Sequence, residues 1–440
     1  MKFYDRSSEL AELERIKQLS FNDSSRLTVV TGRRRIGKTS LILKSTENTS
    51  TVYLFVGRKN ESTLCAEFAP IIAQSLDSFV PEGMTTFRAL FQYLMELARH
   101  KTFNLVIDEF QEFYNINPAI FSDMQNIWDT YRKKTHVNLI VSGSIYSLMQ
   151  KIFQDAKEPL FGRADNIIKL SAFDISTLKQ IMTDYAPTYT NDDLLALYTI
   201  TGGIPKYVEM ICDNGKLDVA GMITFVVREN SVFTDEGKHL LIEEFGKNYA
   251  TYFSILSAIS GGINTQPAIE AALGNKSLGG QLKRLVEDYN LIVRQRPVLS
   301  KEGTQTVRYE IQDNFLRFWF NYFDRHRSLI EIKNFTALQN IILSDYPTYS
   351  GKILERYFKQ QLAESNQFRE IGSWWETKNG QNEIDIVALG LTKNQALVAE
   401  VKRNWKNFKP ELLATKVSHL KQKVLPRYKI ETCCLTLEEM

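Results

Sequence analysis

Apolar positions in the first third of the chain come in short, nearly continuous runs separated by helix-like stretches. Residues 27–31 (LTVVT) run into a glycine-rich turn, and helical sequence resumes at Lys38. Three further runs, TVYLFVG (51–57), FNLVIDEF (103–110) and NLIVSGS (138–144), repeat the theme. Continuous apolar strands alternating with helices predict a parallel sheet covered on both faces. From residue 173 to 246 the period is helical, broken by TGGIP at 201–205. Residues 249–312 read as three helices and two strands joined across a KEG turn, the order of a winged helix-turn-helix. Beyond residue 315 come an aromatic run (LRFWFNYF), a helix at 349–365, strands at 382–389 and 396–403, a basic helical tail and a last strand, IETCCLTL. The expected division is 1–172, 173–246, 247–314 and 315–440, an α/β multidomain chain.

Composition changes this picture little. With 43% hydrophobic and 24% charged residues the chain is ordinary for a globular protein. Its net charge of +3 does not by itself point to a nucleic acid or a membrane. The distribution is more informative, with nine Lys or Arg residues and one acid, Glu411, between Lys402 and Lys429. The four cysteines show no metal-ligand spacing, no run approaches a membrane span, and the expected setting is reduced and cytoplasmic.

The turn after the first strand is Gly32-Arg33-Arg34-Arg35-Ile36-Gly37-Lys38-Thr39, followed by Ser40. It fits GxxxxGK[ST] in the strand-to-helix context that the motif requires. Its backbone amides would cradle a polyphosphate, Lys38 would reach the β- and γ-phosphates, and Thr39 would ligate Mg²⁺. The three arginines occupy the arch of the loop, where side chains point outward. Asp108 and Glu109 end the buried run LVI, so Asp108 can hold a magnesium shell and Glu109 can orient an attacking water. Ser142 or Ser144 would sense the γ-phosphate, or else SGS is simply a strand-to-helix turn. Arg163 in PLFGRAD would stabilise transferring charge, in cis or across subunits of an oligomer, or is a surface arginine.

FYDRSSEL, TGRRRIGKTSL, VIDEFQ, VSGS, FGR, TGGIPKY and YEIQDNFLRFWFNYF occur in this order. In that set the chain resembles, over its whole length, the archaeal-type P-loop ATPases of the STAND/AAA+ sphere. Those proteins often end in a PD-(D/E)XK nuclease-like domain. The resemblance implies a P-loop sheet with a helical lid, a winged helix and a restriction-endonuclease-like C-terminal domain. It also implies ATP and Mg²⁺ as cofactors, Arg6 near the adenine, and Gly202, Gly203 and Pro205 linking nucleotide state to the lid. ATP rather than GTP follows from the resemblance, there being no guanine-reading NKxD motif.

At the C-terminal end, Asp385 is followed fifteen residues later by Glu400-Val401-Lys402. Strand alternation puts Glu400 and Lys402 on one side, and a short connection can bring Asp385 beside them. Two such carboxylates can bind Mg²⁺ or Mn²⁺ and the lysine can position a hydroxide, with Glu355 completing the site. The D-x(14)-E-x-K pattern resembles the nuclease core; an exposed hairpin with a charged face would give the same alternation. The basic tail, with Trp405, Phe408 and Tyr428, suits the phosphate backbone of a nucleic acid such as DNA, or is a solvated face. Three functions therefore compete: an ATP-gated nuclease, a regulatory ATPase switch that binds DNA or a partner without cutting, and a winged-helix regulator.

Overall fold

The computed structural model describes residues 1–246, 249–300, 307–376, 382–392 and 394–440, so the KEG turn expected at 301–303 lies outside the described residues. Two compact units result: Tyr4–Ser171, and Ala172–Met440 together with Met1–Phe3.

The first unit is built on five strands, β1 (Arg26–Thr31), β2 (Thr51–Phe55), β3 (Phe103–Asp108), β4 (Val137–Gly143) and β5 (Asn166–Lys169), in the order β2-β3-β4-β1-β5. Every pairing is parallel, as the apolar runs predict. All residues of β3 and β4 are buried, because helices cover both faces of the sheet's centre. Leu27, Val29, Leu105 and Ile107 point into one core with Phe68, Phe91 and Trp128. The alternate residues Val30, Val106 and Ile140 are buried on the opposite face. The order places β1 and β3 on either side of β4, so the carboxyl ends of β1, β3 and β4 meet at one edge. Open α/β sheets hold their ligands at such an edge.

The second unit begins with helices. Helix Asn191–Thr201 opens with a Thr190–Asp193 capping box and ends at Gly202. Its residues 194–201 are all buried, on every side of the helix. Gly203 follows at φ 74°, and a Cβ there would sit 2.8 Å from the Phe173 carbonyl, so the TGG turn admits no side chain. Pro205 starts the next helix at its first position, where no amide is needed. Helices Tyr249–Ser260, Gln266–Ala272 and Gly279–Glu287 precede an antiparallel pair, β6 (Ile292–Gln295) and β7 (Arg308–Ile311). The aromatic run at 316–323 is core: Phe318, Trp319, Phe320, Tyr322 and Phe323 are all buried.

Helix Phe335–Glu364 runs on through Pro347, fourteen residues upstream of the expected start at 349. It packs on a four-stranded sheet of order β11-β10-β9-β8, made of β8 (Phe368–Trp374), β9 (Ile384–Gly390), β10 (Gln395–Val401) and β11 (Lys429–Leu435). The β8–β9 and β9–β10 pairings are antiparallel, and β10–β11 is parallel. Helix Pro410–Lys423 covers this sheet through Leu413 and Leu420, which pack with Val387, Leu389 and Val398.

Candidate functional site

The glycine-rich turn stands where β1 hands over to helix Lys38–Ser45. Gly37 caps that helix at φ 89°, and Ile36 turns its side chain into the core, pinning the loop. Arg34 is exposed, Arg33 and Arg35 are half-buried, and Ser40 lies exposed in the first turn. The Lys38 ammonium is buried and donates to the carbonyls of Gly32 (2.9 Å) and Arg33 (3.1 Å). Burial drives its pKa down from 10.5 to about 8, against the pull of Glu109 and Asp108. A cation held so dry, with only neutral oxygens as hydrogen-bond acceptors, is matched to an anionic ligand such as a phosphate.

Asp108 is buried at the end of β3 and accepts four hydrogen bonds. They come from Thr39 Oγ1 (3.1 Å), Tyr53 Oη (2.5 Å), Ser142 Oγ (2.5 Å) and the Glu109 amide (3.0 Å). Tyr53 belongs because the β2–β3 register sets its strand beside Asp108. Burial, then Asp108, pushes its phenol well above the usual range. Glu109 stands in the left-handed region at φ 55°, held by Ser144 Oγ (2.7 Å) and Gln111 Nε2 (2.5 Å). Gly143 makes room for Gln111, since a Cβ there would fall 2.2 Å from Gln111 Oε1. The Thr39 hydroxyl and Asp108 carboxylate are the hard oxygen donors that Mg²⁺ takes alongside phosphate and water, so the residues present fit that ion.

Arg163 is held elsewhere, by the Asp129 carboxylate (3.1 Å) and the Phe161 carbonyl (2.8 Å). Arg6 is buried and left-handed, and donates to the Ser171 carbonyl (2.6 Å) and Glu9 (3.3 Å). Tyr53 and Gln111 were not among the residues singled out from sequence; strand order alone supplies Tyr53, whereas Gln111 closes the VIDEFQ motif three residues after Asp108, a signal that could have found it.

In the second unit the β9–β10 register pairs Ala399 with Ile386, and its next step sets Glu400 opposite Asp385. Like charges directly opposite each other repel. Two lysines compensate: Lys402 Nζ lies 2.8 Å from Glu400 and 3.4 Å from Asp385, and Lys416 Nζ lies 2.5 Å from Glu400. The Val401 amide donates to Asp385 at 2.8 Å. Burial, then Glu400, raises Asp385 above its ordinary value. Burial alone would raise Glu400 too, but the Lys402 and Lys416 ammoniums outweigh it and hold the carboxyl low. Lys416 is sixteen residues from Glu400 and sits on helix Pro410–Lys423, where only the fold brings it in.

Glu355 departs from expectation. It lines a neighbouring cleft, half-buried, and no three His, Cys, Asp or Glu side chains among the described residues are grouped to hold a metal ion. Burial, then Asp385, pushes its carboxyl up to about 7. The basic tail is partly neutralised within the unit: Arg403 pairs with Asp192 (2.8 Å) and Lys423 with Glu376 (2.7 Å).

Residues 3–211 match an ATPase domain found predominantly in Archaea, and residues 319–417 match a family of archaeal and bacterial proteins of unknown function. An uncharacterised protein of Methanocaldococcus jannaschii is 32% identical over 417 residues, 92% of this chain and 88% of the relative. The chain belongs to this archaeal-type ATPase family. Solved structures similar to the ATPase include the Walker-type ATPase Paby2304 of Pyrococcus abyssi, at TM-score 0.54 and 19% identity over 72% of this chain and 96% of the other. The ORC2 protein of Aeropyrum pernix, solved in ADPNP–ADP complexes, follows at 0.51 and 13%, over 78% and 96%. At such identities the likeness concerns the fold, and it is that of a P-loop ATPase. Among its described residues no helix is long and apolar enough to cross a membrane.

Proposed function

We propose that this ATPase hydrolyses ATP at the Lys38–Asp108–Glu109 cluster, and that its C-terminal centre cleaves phosphodiesters of a nucleic acid under control of the ATP cycle. Lys38 and the loop amides bind the β- and γ-phosphates, Glu109 orients the attacking water, and Ser144 and Gln111 fix that carboxylate. Thr39 and Asp108 would hold Mg²⁺, which supplies neutralising charge on the phosphates when bound. The observation that carries the nuclease reading is the convergence of Asp385 and Glu400 on Lys402, at 3.4 and 2.8 Å. In that reading Asp385 and Glu400 hold a divalent cation, Lys402 positions the nucleophile, and Lys416 keeps Glu400 ionised.

One observation favours a second reading. Lys402 and Lys416 already neutralise Glu400 without any metal, as they would in a regulatory ATPase switch whose C-terminal domain binds DNA or a protein without cutting. The two separate in a nuclease assay on single- and double-stranded DNA with Mg²⁺ or Mn²⁺, with and without ATP. Cleavage by the wild type that disappears in Glu400→Ala while ATP turnover persists supports the first. No cleavage under any of these conditions leaves the switch.

A further inference from the structure

Within the second unit, a cleft of about 270 Å³ opens between helix Tyr249–Ser260, strand β7 and helix Phe335–Glu364. Its charges are unevenly spent. Glu310 is taken up by Arg317 (3.1 Å) and Arg356 (3.2 Å), and Glu383 by Arg308 (2.7 Å). Lys352 and Lys359 also line the cleft, on one face of helix Phe335–Glu364 with Glu355 between them, and neither lysine makes an ion pair among the described residues. Tyr349, one helical turn before Lys352, lines the same cleft. Two ammoniums outside any ion pair, in one concavity, are recognition elements for a phosphodiester.

The cleft also adjoins the acidic pair. Lys359 Nζ donates to Ser373 Oγ (2.6 Å), which donates to the Asp385 carbonyl (3.0 Å). Glu383, the partner of Arg308, stands two residues before Asp385 in sequence, and Arg308 lies over the Trp375 ring at 4.3 Å. The winged-helix strand β7 is thus a wall of this cleft. The third helix of that unit is poor as a duplex reader, since Lys283 is paired with Glu287 at 3.6 Å.

We propose that this cleft seats one nucleotide of a single-stranded nucleic acid, with its phosphodiester on Lys352 and Lys359, and feeds the strand to Asp385 and Glu400. The proposal rests on reading that acidic pair as a phosphodiester site. The volume is near the lower end for small-ligand pockets, ~300 Å³, and suits a single nucleotide rather than the broad face of a duplex. Tyr349 and Tyr309 give the walls aromatic surface, which single strands use alongside a cationic groove.

The test is fluorescence anisotropy on the full chain with labelled dT15 and U15 in EDTA, so that binding is read without cleavage. The wild type is expected to bind, with an unlabelled duplex of equal length failing to displace the strand. Lys352→Glu, an exposed change, is expected to weaken binding at least tenfold and to lower the salt slope by about one, with ATP turnover unchanged. A preference between the two oligonucleotides assigns the sugar. Failure of both to bind, or unchanged affinity in Lys352→Glu while Lys421→Glu on the tail weakens it, overturns the cleft. The nuclease assay on the wild type, run beside this one, separates the two claims. If the wild type never cleaves yet Lys352→Glu loses binding, the cleft stands and the nuclease reading fails.

Discussion

Without bound nucleotide, the buried Lys38 ammonium is expected to make the protein less stable than it would be without it. The fall of its pKa from 10.5 to about 8, at about 1.4 kcal/mol per tenfold, bounds the cost of the buried ammonium at about 3 kcal/mol. Replacing it with methionine relieves that cost but leaves the Gly32 and Arg33 carbonyls without donors, about 1 kcal/mol each. Nucleotide-free Lys38→Met is therefore expected to be about 1 kcal/mol more stable than the wild type near pH 7. The pH dependence is the sharper signature. Between about 8 and 10.5 the folded wild type holds fewer protons than the unfolded chain, so its stability rises with pH there, and the burial cost is complete only below about 8. The methionine variant has no such rise, so its advantage closes near pH 9 and reverses above it. Urea denaturation at several pH values measures both terms. Added ATP at ~100 times its Kd should stabilise the wild type by about 2.7 kcal/mol and the variant hardly at all. A variant that is less stable at pH 7, by a margin that does not change up to pH 10, refutes the reasoning.

Glu109→Gln should lower ATP turnover by about 10²-fold or more while equilibrium nucleotide binding, measured by a fluorescent analogue, is kept. Because the Glu355 carboxyl is pushed from 4.5 up to about 7, stability should fall as pH rises through that window and stay low above it. Glu355→Gln should remove that slope, as read from denaturation midpoints near pH 5 and 8. Gly203→Ala combines a left-handed backbone with a 2.8 Å approach to the Phe173 carbonyl, and should cost about 2–4 kcal/mol in the unfolding of the second unit. Wild-type midpoints in that variant would show that the turn relaxes freely.

The nucleotide site was legible because its signals are local. A loop of fixed spacing follows an apolar strand, and Asp108 ends another. The parallel sheet was legible for the same reason, since β3 and β4 at its centre are buried on both faces. What depends on strand order was not. Tyr53 reaches Asp108 only because β2 pairs with β3, and Lys416 reaches Glu400 only because its helix folds over β10. β5 was missed at four residues, and β8, FREIGSW, is a half-exposed edge strand without clean alternation. The proline at 347 hid the first half of a thirty-residue helix, because a missing amide usually marks a helix end. The pairing of Asp385 with Glu400 was foreseeable because strand alternation and a short connection constrain it almost completely.

Helix Asn191–Thr201 has no wet side on which to roll. Buried all round, it is seated at its leading end by the Asp192–Arg403 pair and at its trailing end by a glycine turn that accepts no side chain. Packed on every side and fixed at both ends, such a helix is held as one rigid block. Arg403 directly follows Lys402, so the residue that seats this block is the chain neighbour of the lysine shared by Asp385 and Glu400.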